Sequence, residues 1–370
     1  MLRSFWFWLT LVLIAAGVAL TAALGVFSWL AFTIAVAILV VDGIFLYSIY
    51  AVGSGETPEL PQLAPVPDEE RIRVICDCDL TMGRPFRNVG DGLALLYLLG
   101  EPKTDLRAVT TTYGTGPVGM TTRTTRRLLQ QLSIETVDVV RGASRSDDDP
   151  VENRAAHRLV EEVNAHPGEI AILATGALTN LKHASTLDAD FFEKLRGLYI
   201  VGGVTGTLVW GERRLPERHL SLDPEAAYGA IHAHCPTTIA LGEAGLTAIF
   251  RSEQMAALAA LEDRVSDLIL KRTRLWFGLM RLRFPDDGFP LWESVAALAI
   301  AHPQYLSFRR VHLPTTIEDL RRGRLVPGPG EGGPVRLVHG VDDYDAFVAT
   351  QLAAWHRLGT SIERDGEDAS

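Results

Sequence analysis

The pattern of apolar and polar positions changes character twice along the 370-residue chain. From Phe5 to Val41 there is no charged residue, a run of 37 positions. One membrane span needs about 20 apolar residues. The run is therefore too long for one helix and far too long for a signal-peptide core. Gly25 divides it, and the pattern predicts a transmembrane hairpin of two helices, about residues 5–24 and 27–50. Trp6, Trp8, Tyr47 and Tyr50 fall near the expected interfaces, and Asp42 lies toward an end, where a charge costs less than at the bilayer centre. Arg3 favours a cytoplasmic N-terminus, and two spans return the chain to that side. The expected location is thus the cell membrane, multi-pass, with the globular part in the cytoplasm. Residues 52–70 follow as an acidic linker, where Pro58, Pro61, Pro65 and Pro67 exclude a helix and favour an extended spacer.

Over residues 71–370 short apolar runs alternate with helical patterns. A buried strand opens at Val74 and Ile75. Further strands are expected at Leu106–Thr112, Val137–Val140, Glu169–Ala174, Leu198–Val201 and Thr237–Leu241. Between them the spacing predicts helices at Thr121–Leu132, Glu152–Ala165, from about Leu178, at Asp223–His234 and through most of Ser252–Leu282. Asp223 reads as an N-cap with Pro224 in the first turn. Such alternation predicts an α/β fold, an open and mostly parallel sheet with helices on both faces. The run PGPGEGGP at 327–334 lacks the flanking strand and helix of a phosphate loop and reads as a connection near a C-terminal hairpin.

A formal net charge of −10 argues against a nucleic-acid backbone as partner, though not against an uncharged nucleoside. Cys76, Cys78 and Cys235 form no even-numbered disulfide framework. No second pair completes a zinc site with Cys76 and Cys78, so buried reduced thiols are the favoured reading.

Residues 74–99 carry the candidate chemistry. Asp77 and Asp79 alternate with the two cysteines at the end of the first strand, so both acids point one way. Asp91 stands just before the helical run Leu93–Leu99. Three acids at a strand end and the next helix start repel one another unless a cation lies between them, and a hard cation with oxygen ligands suits them. The alternative is a capping role for Asp91 and a turn role for Asp79.

The DCD of 77–79 and DGLAL of 91–95 resemble the opening motif of the inosine/uridine-preferring nucleoside hydrolases. Six later blocks keep the same order: AVTTTYG (108–114), VVRGASR (139–145), ILATGALTNL (172–181), YIVGG (199–203), ERHLSLDPEAA (217–227) and PLWESVA (290–296). The resemblance spans roughly residues 71–350. It implies a calcium ion at the pocket floor, holding the attacking water and the ribose hydroxyls. Carried over position by position, it implies Asp79 as general base and calcium ligand, with Asp91 as a second carboxylate ligand. Thr175 would bind the metal through its backbone carbonyl, and Glu293 would bind metal and ribose. Glu217 would contact ribose, and Asp77 would support the ligands from behind.

The departures are specific. Gly90 replaces the first of two adjacent aspartates, removing one hydroxyl acceptor, and eleven residues separate Asp79 from Asp91 where the family link is short. Thr115 stands for a ribose-binding asparagine and His219 for another, so that His219 is either a sugar or proton contact or a loop residue. Trp292 precedes Glu293 where purine-handling members often carry a histidine; it either stacks on a base or fills space. Glu293 is one methylene longer than the expected aspartate, which must shift the metal or the backbone. The function implied is calcium-dependent hydrolysis of the N-glycosidic bond of a nucleoside or related N-riboside. The alternative is a non-catalytic, membrane-anchored ligand-binding or scaffold protein of the same descent. Self-association is left open.

Overall fold

The computed structural model describes residues 34, 36–41, 43, 56–284, 286–329 and 334–368. The chain divides into two units, 1–51 and 52–370. In the first, the described residues among 34–43 are helical, with Ile34, Ile38 and Val40 exposed. The rest of the expected hairpin lies outside the described residues. Among those described, no helix is long and apolar enough to cross a membrane. On this finding the expected multi-pass membrane location is corrected, and the hairpin as a membrane partner is not supported.

In the second unit residues 56–67 run without helix or strand, as their prolines predict. They are not a free spacer, because Leu60 and Leu63 pack against the core. The strands in chain order are β1 (Ile72–Cys78), β2 (Thr104–Thr111), β3 (Asp138–Arg141), β4 (Ile170–Ala174), β5 (Gly197–Val201), β6 (Val209–Trp210), β7 (Arg213–Arg214), β8 (Thr237–Ala240), β9 (Ile249–Arg251), β10 (Gly288–Pro290), β11 (Leu306–Val311) and β12 (Val335–Val341). Eight of them form one sheet in the order β11-β12-β8-β5-β4-β1-β2-β3. Its pairings are parallel except β11 with β12, which is the C-terminal antiparallel pair expected around the glycine-rich connection.

The helices are α1 (Gly90–Gly100), α2 (Val118–Gln131), α3 (Arg154–Ala165), α4 (Thr179–Leu187), α5 (Pro224–His232), α6 (Gly242–Gly245), α7 (Ser252–Ala260), α8 (Arg264–Arg283), α9 (Trp292–Ala301), α10 (Ile317–Arg321) and α11 (Tyr344–Asp368). Asp223 caps α5 by accepting from Ala226 N at 3.0 Å, with Pro224 in the first turn, as the sequence predicts. Two cores cover the two sheet faces. Val74, Cys76 and Cys78 of β1 join α1, α9 and α11 on one side, whereas Ile75 joins α3, α4 and α5 on the other. This split is the alternation of a strand buried on both faces. Cys76 and Cys78 are free thiols with no exposed surface.

Two features position the site. Chain order runs outward from β1 to β2 and β3 on one side, and from β4 to β5 and β8 on the other, so the sheet switches direction between β1 and β4. Such a switch point opens a crevice at the C-terminal strand ends. Helices α1 and α9 are apolar on nearly every face, as a helix wrapped by protein must be, and each has one acid in its first turn, Asp91 or Glu293. The positive end of a helix dipole favours an acid there.

Candidate active site

Asp77 and Asp79 lie at the C-terminal end of β1, beside the switch point. Asp77 pairs in register with Thr110 of β2 and Ala174 of β4. Its Oδ1 accepts from Thr110 Oγ1 at 2.5 Å and Asn180 Nδ2 at 2.7 Å. Asn180 is held in turn, its Oδ1 accepting from Ala143 N at 2.9 Å and Asn153 Nδ2 at 3.0 Å. Burial raises the Asp77 pKa to about 6 against the lowering effect of Thr110 and Asn180.

Asp79 follows the strand and is buried. Its Oδ2 accepts from Thr115 N, and its own carbonyl accepts from Thr115 Oγ1 at 2.7 Å. Gly114 makes the approach possible, since a Cβ there would lie 2.0 Å from Asp79 Oδ2. Asp91 Oδ1 accepts from Thr175 Oγ1 at 2.6 Å. Glu293 Oε1 accepts from Asn88 Nδ2 at 2.8 Å. Each of these three acids retains one buried oxygen without a partner: Asp79 Oδ1, Asp91 Oδ2 and Glu293 Oε2.

Orphaned carboxylate oxygens inside a protein are costly. Burial pushes the Asp79 carboxyl well above its usual range, and the charges of Asp91 and Glu293 push it further. Burial likewise raises Asp91, against hydrogen bonding from Thr175 and the charge of His219. Glu293 rises to about 8 through burial and then repulsion from Asp91. Three buried acids, each with a free oxygen, could offer those oxygens to a hard cation. As placed, the side chains do not yet form a coordination shell: among the described residues no group of three or more His, Cys, Asp or Glu is arranged to hold a metal ion.

The other expected site residues take less direct positions. Thr115 holds Asp79 through Oδ2 and the backbone carbonyl, and leaves Oδ1 free. Thr175 approaches Asp91 through its hydroxyl, while its amide donates to Asp77 O at 2.9 Å. Glu217 is almost fully engaged by its own loop. Its Oε1 accepts from His219 N at 2.7 Å, Leu220 N at 2.9 Å and Gly203 N at 3.3 Å, and its Oε2 accepts from Ser221 N at 3.0 Å. That loop carries His219, whose Nδ1 stands 3.8 Å from Glu217 Oε1. Trp292 is half-buried, its indole N–H donating to Gly242 O at 2.9 Å and its ring lying where a side chain on Gly245 would be. Asp91 does not cap α1, because it sits inside the first turn.

Sequence reasoning missed Thr110, Asn180 and Asn88. The first two lie within the blocks 108–114 and 172–181, which was a usable signal. Asn88 lies in the long link between Asp79 and Asp91 and had none.

Residues 74–354 match the family model of the inosine-uridine preferring nucleoside hydrolases. The chain belongs to this family. Among its curated relatives, probable uridine nucleosidase 2 of Oryza sativa subsp. japonica is 23% identical over 271 residues, covering 66% of this chain and 77% of the relative. An uncharacterized protein of Schizosaccharomyces pombe is 29% identical over 165 residues, covering 41% of this chain and 42% of its own length, so the chain spans less than half of that relative. Among solved structures, a plant nucleoside hydrolase superposes with a TM-score of 0.66 at 21% identity, over 78% of this chain and 99% of the other. A purine-preferring ribonucleoside hydrolase from Gardnerella vaginalis gives 0.67 at 18%, over 77% and 99%. At these identities the likeness carries the fold, and the family model carries membership among hydrolases of N-glycosyl bonds.

Proposed function

We propose that this nucleoside hydrolase domain cleaves the N-glycosidic bond of a nucleoside or related N-riboside, with water as nucleophile and Asp79 as general base. The observation that supports this most is the trio Asp79, Asp91 and Glu293, buried at the switch point with one free oxygen each. Calcium bound there would lower the pKa of a water and fix the sugar hydroxyls. Asp79, Asp91 and Glu293 would hold it, in keeping with the calcium dependence typical of the family, and the Thr175 carbonyl is the fourth protein ligand we assign.

The chain's own residues divide the remaining work. Thr115 fixes Asp79 through one carboxylate oxygen and the backbone carbonyl, leaving Oδ1 to accept the water's proton. Thr175 orients Asp91, and the Thr110–Asn180 clamp holds the Asp77 side chain at the end of β1. As the bond to the base breaks, positive charge builds on the sugar and the buried carboxylates stabilise it. Glu217, saturated by loop amides, acts by presenting His219 to the pocket, and Trp292 forms a wall against which a base can stack.

The test is release of free sugar from a panel of purine and pyrimidine ribosides, deoxyribosides and nicotinamide riboside in the presence of calcium. Turnover of at least one is expected, with a loss of several orders of magnitude in Asp79→Ala. No release from any of them by folded, metal-bound protein would favour the ligand-binding alternative. Release that survives Asp79→Ala would refute the assigned base.

A further inference from the structure

The longer Glu293 was expected to shift either the metal or the backbone. The structure shows a third solution. A Cβ built on Gly90 would lie 1.8 Å from Glu293 Oε2, 2.4 Å from its Cδ and 3.0 Å from Oε1. The carboxylate thus occupies the volume that a side chain at residue 90 would take. Asn88 closes the arrangement from both sides. Its Nδ2 donates to Glu293 Oε1 at 2.8 Å, and its Oδ1 accepts from Gly90 N at 2.9 Å. A backbone N–H can only donate, so Gly90 N fixes which way the amide faces and turns Nδ2 toward Glu293. Asn88 thereby ties the start of α1 to the start of α9 across 205 positions of sequence. Glu293 Oε2 is left buried and without a partner, with the Asp91 charge acting on the group.

We propose that Asn88, Gly90 and Glu293 form one positioning unit: the glycine makes the room, the amide clamps one oxygen, and the glutamate offers the other to the pocket in place of a side chain at residue 90. Its use toward calcium and sugar rests on the function proposed above. The packing itself does not. Asn88 touches no reacting atom in this scheme and is a positioning residue.

The experiment compares Gly90→Ala, Glu293→Asp, the double variant and Asn88→Ala in the full chain. It reads melting temperature in chelator, calcium affinity by calorimetry, and KM and kcat on whichever riboside is turned over. Gly90→Ala should melt lower in chelator and bind calcium at least tenfold more weakly, because the new methyl displaces the carboxylate. Adding Glu293→Asp withdraws the carboxylate by one methylene, so the double variant should lose less than the sum of its parts in both measurements. Asn88→Ala should melt within a few degrees of the parent, weaken calcium about tenfold, as loss of a ligand's supporting contact does, and raise KM more than it lowers kcat. Strict additivity of Gly90→Ala and Glu293→Asp in the chelator melts would overturn the unit. So would parental calcium affinity in Asn88→Ala. If Gly90→Ala fails to fold, recovery of folding in the double variant supports the unit, and failure of both leaves Asn88→Ala to decide. If the parent itself binds no calcium, the metal reading of the site fails, while the chelator melts still decide this proposal.

Discussion

Helix α1 carries a buried acid at each end, and the two are treated in opposite ways. At the C-terminal end Glu101 sits where the helix dipole disfavours a negative charge. It is fully provided for: His302 Nε2 lies 2.9 Å from Oε2, the Tyr97 hydroxyl donates to the same oxygen at 3.4 Å, and Lys103 N donates to Oε1 at 3.1 Å. Burial alone would raise the Glu101 pKa, but the His302 hydrogen bond and charge outweigh it, and the carboxyl ends below its usual range. At the N-terminal end the dipole helps, yet Asp91, Asp79 and Glu293 keep free oxygens and raised pKa values. A fold that satisfies an acid at the unfavourable end had the means to satisfy those at the favourable one. Asp77 Oδ2 is also buried without a partner, so it is the clustering of three such acids, with the charges of Asp91 and Glu293 acting on Asp79, that sets the N-terminal end of α1 apart from the fully paired Glu101.

The sharpest break between the two ends is calcium itself. Calcium at about a thousand times its dissociation constant should stabilise the protein by about 4 kcal/mol, since it binds only the folded state. Asp91→Ala should abolish that shift in a thermal melt, and Glu101→Gln should leave it intact. Equal melting of the parent in calcium and in chelator would remove the contrast.

The next effect is a pH dependence of opposite sign at the two ends. Glu293 rises from an ordinary 4.5 to about 8, so in chelator the folded state holds this proton more tightly than the unfolded chain. Stability should therefore fall as pH rises from about 4.5 through about 8, by an amount on the order of a few kcal/mol. Glu293→Gln should flatten this slope. The Glu101 contribution runs the other way, being complete above the unfolded carboxylate pKa and lost as pH falls through its lowered value. Urea unfolding at several pH values, with chelator, reads both.

The smallest effect tests the satisfied end. His302→Ala leaves Glu101 with Tyr97 and the Lys103 amide, and should cost about 1–2 kcal/mol. Calcium affinity should not change. A loss of calcium binding in this variant would show that the two ends of α1 are coupled.

Much of this was legible in one dimension. The strand–acid–helix order of 72–100, the later strands and the Asp223–Pro224 cap follow from side-chain period and capping chemistry, which are local. The C-terminal α11 was not anticipated, and its buried Trp355 finds its partner, Leu93 O at 3.1 Å, 262 positions away. The site divides in the same way. The acidic character of residues 77–91 could be read directly, whereas the use of Glu217 on its own loop amides could not, because a ligand carboxylate and a loop-capping carboxylate are the same residue type.

The α/β architecture, the family and the place where carboxylates gather could be read from the chain alone, because each depends on residue type and short spacing. Which of their oxygens stay free was set in three dimensions. The folded chain also makes Thr115 hold the Asp79 carboxylate through its amide and Thr175 hold Asp91 through its hydroxyl, and it lets the missing side chain of Gly90 house the added length of Glu293. Those outcomes depend on distances between segments far apart in the chain, and packing in three dimensions sets them.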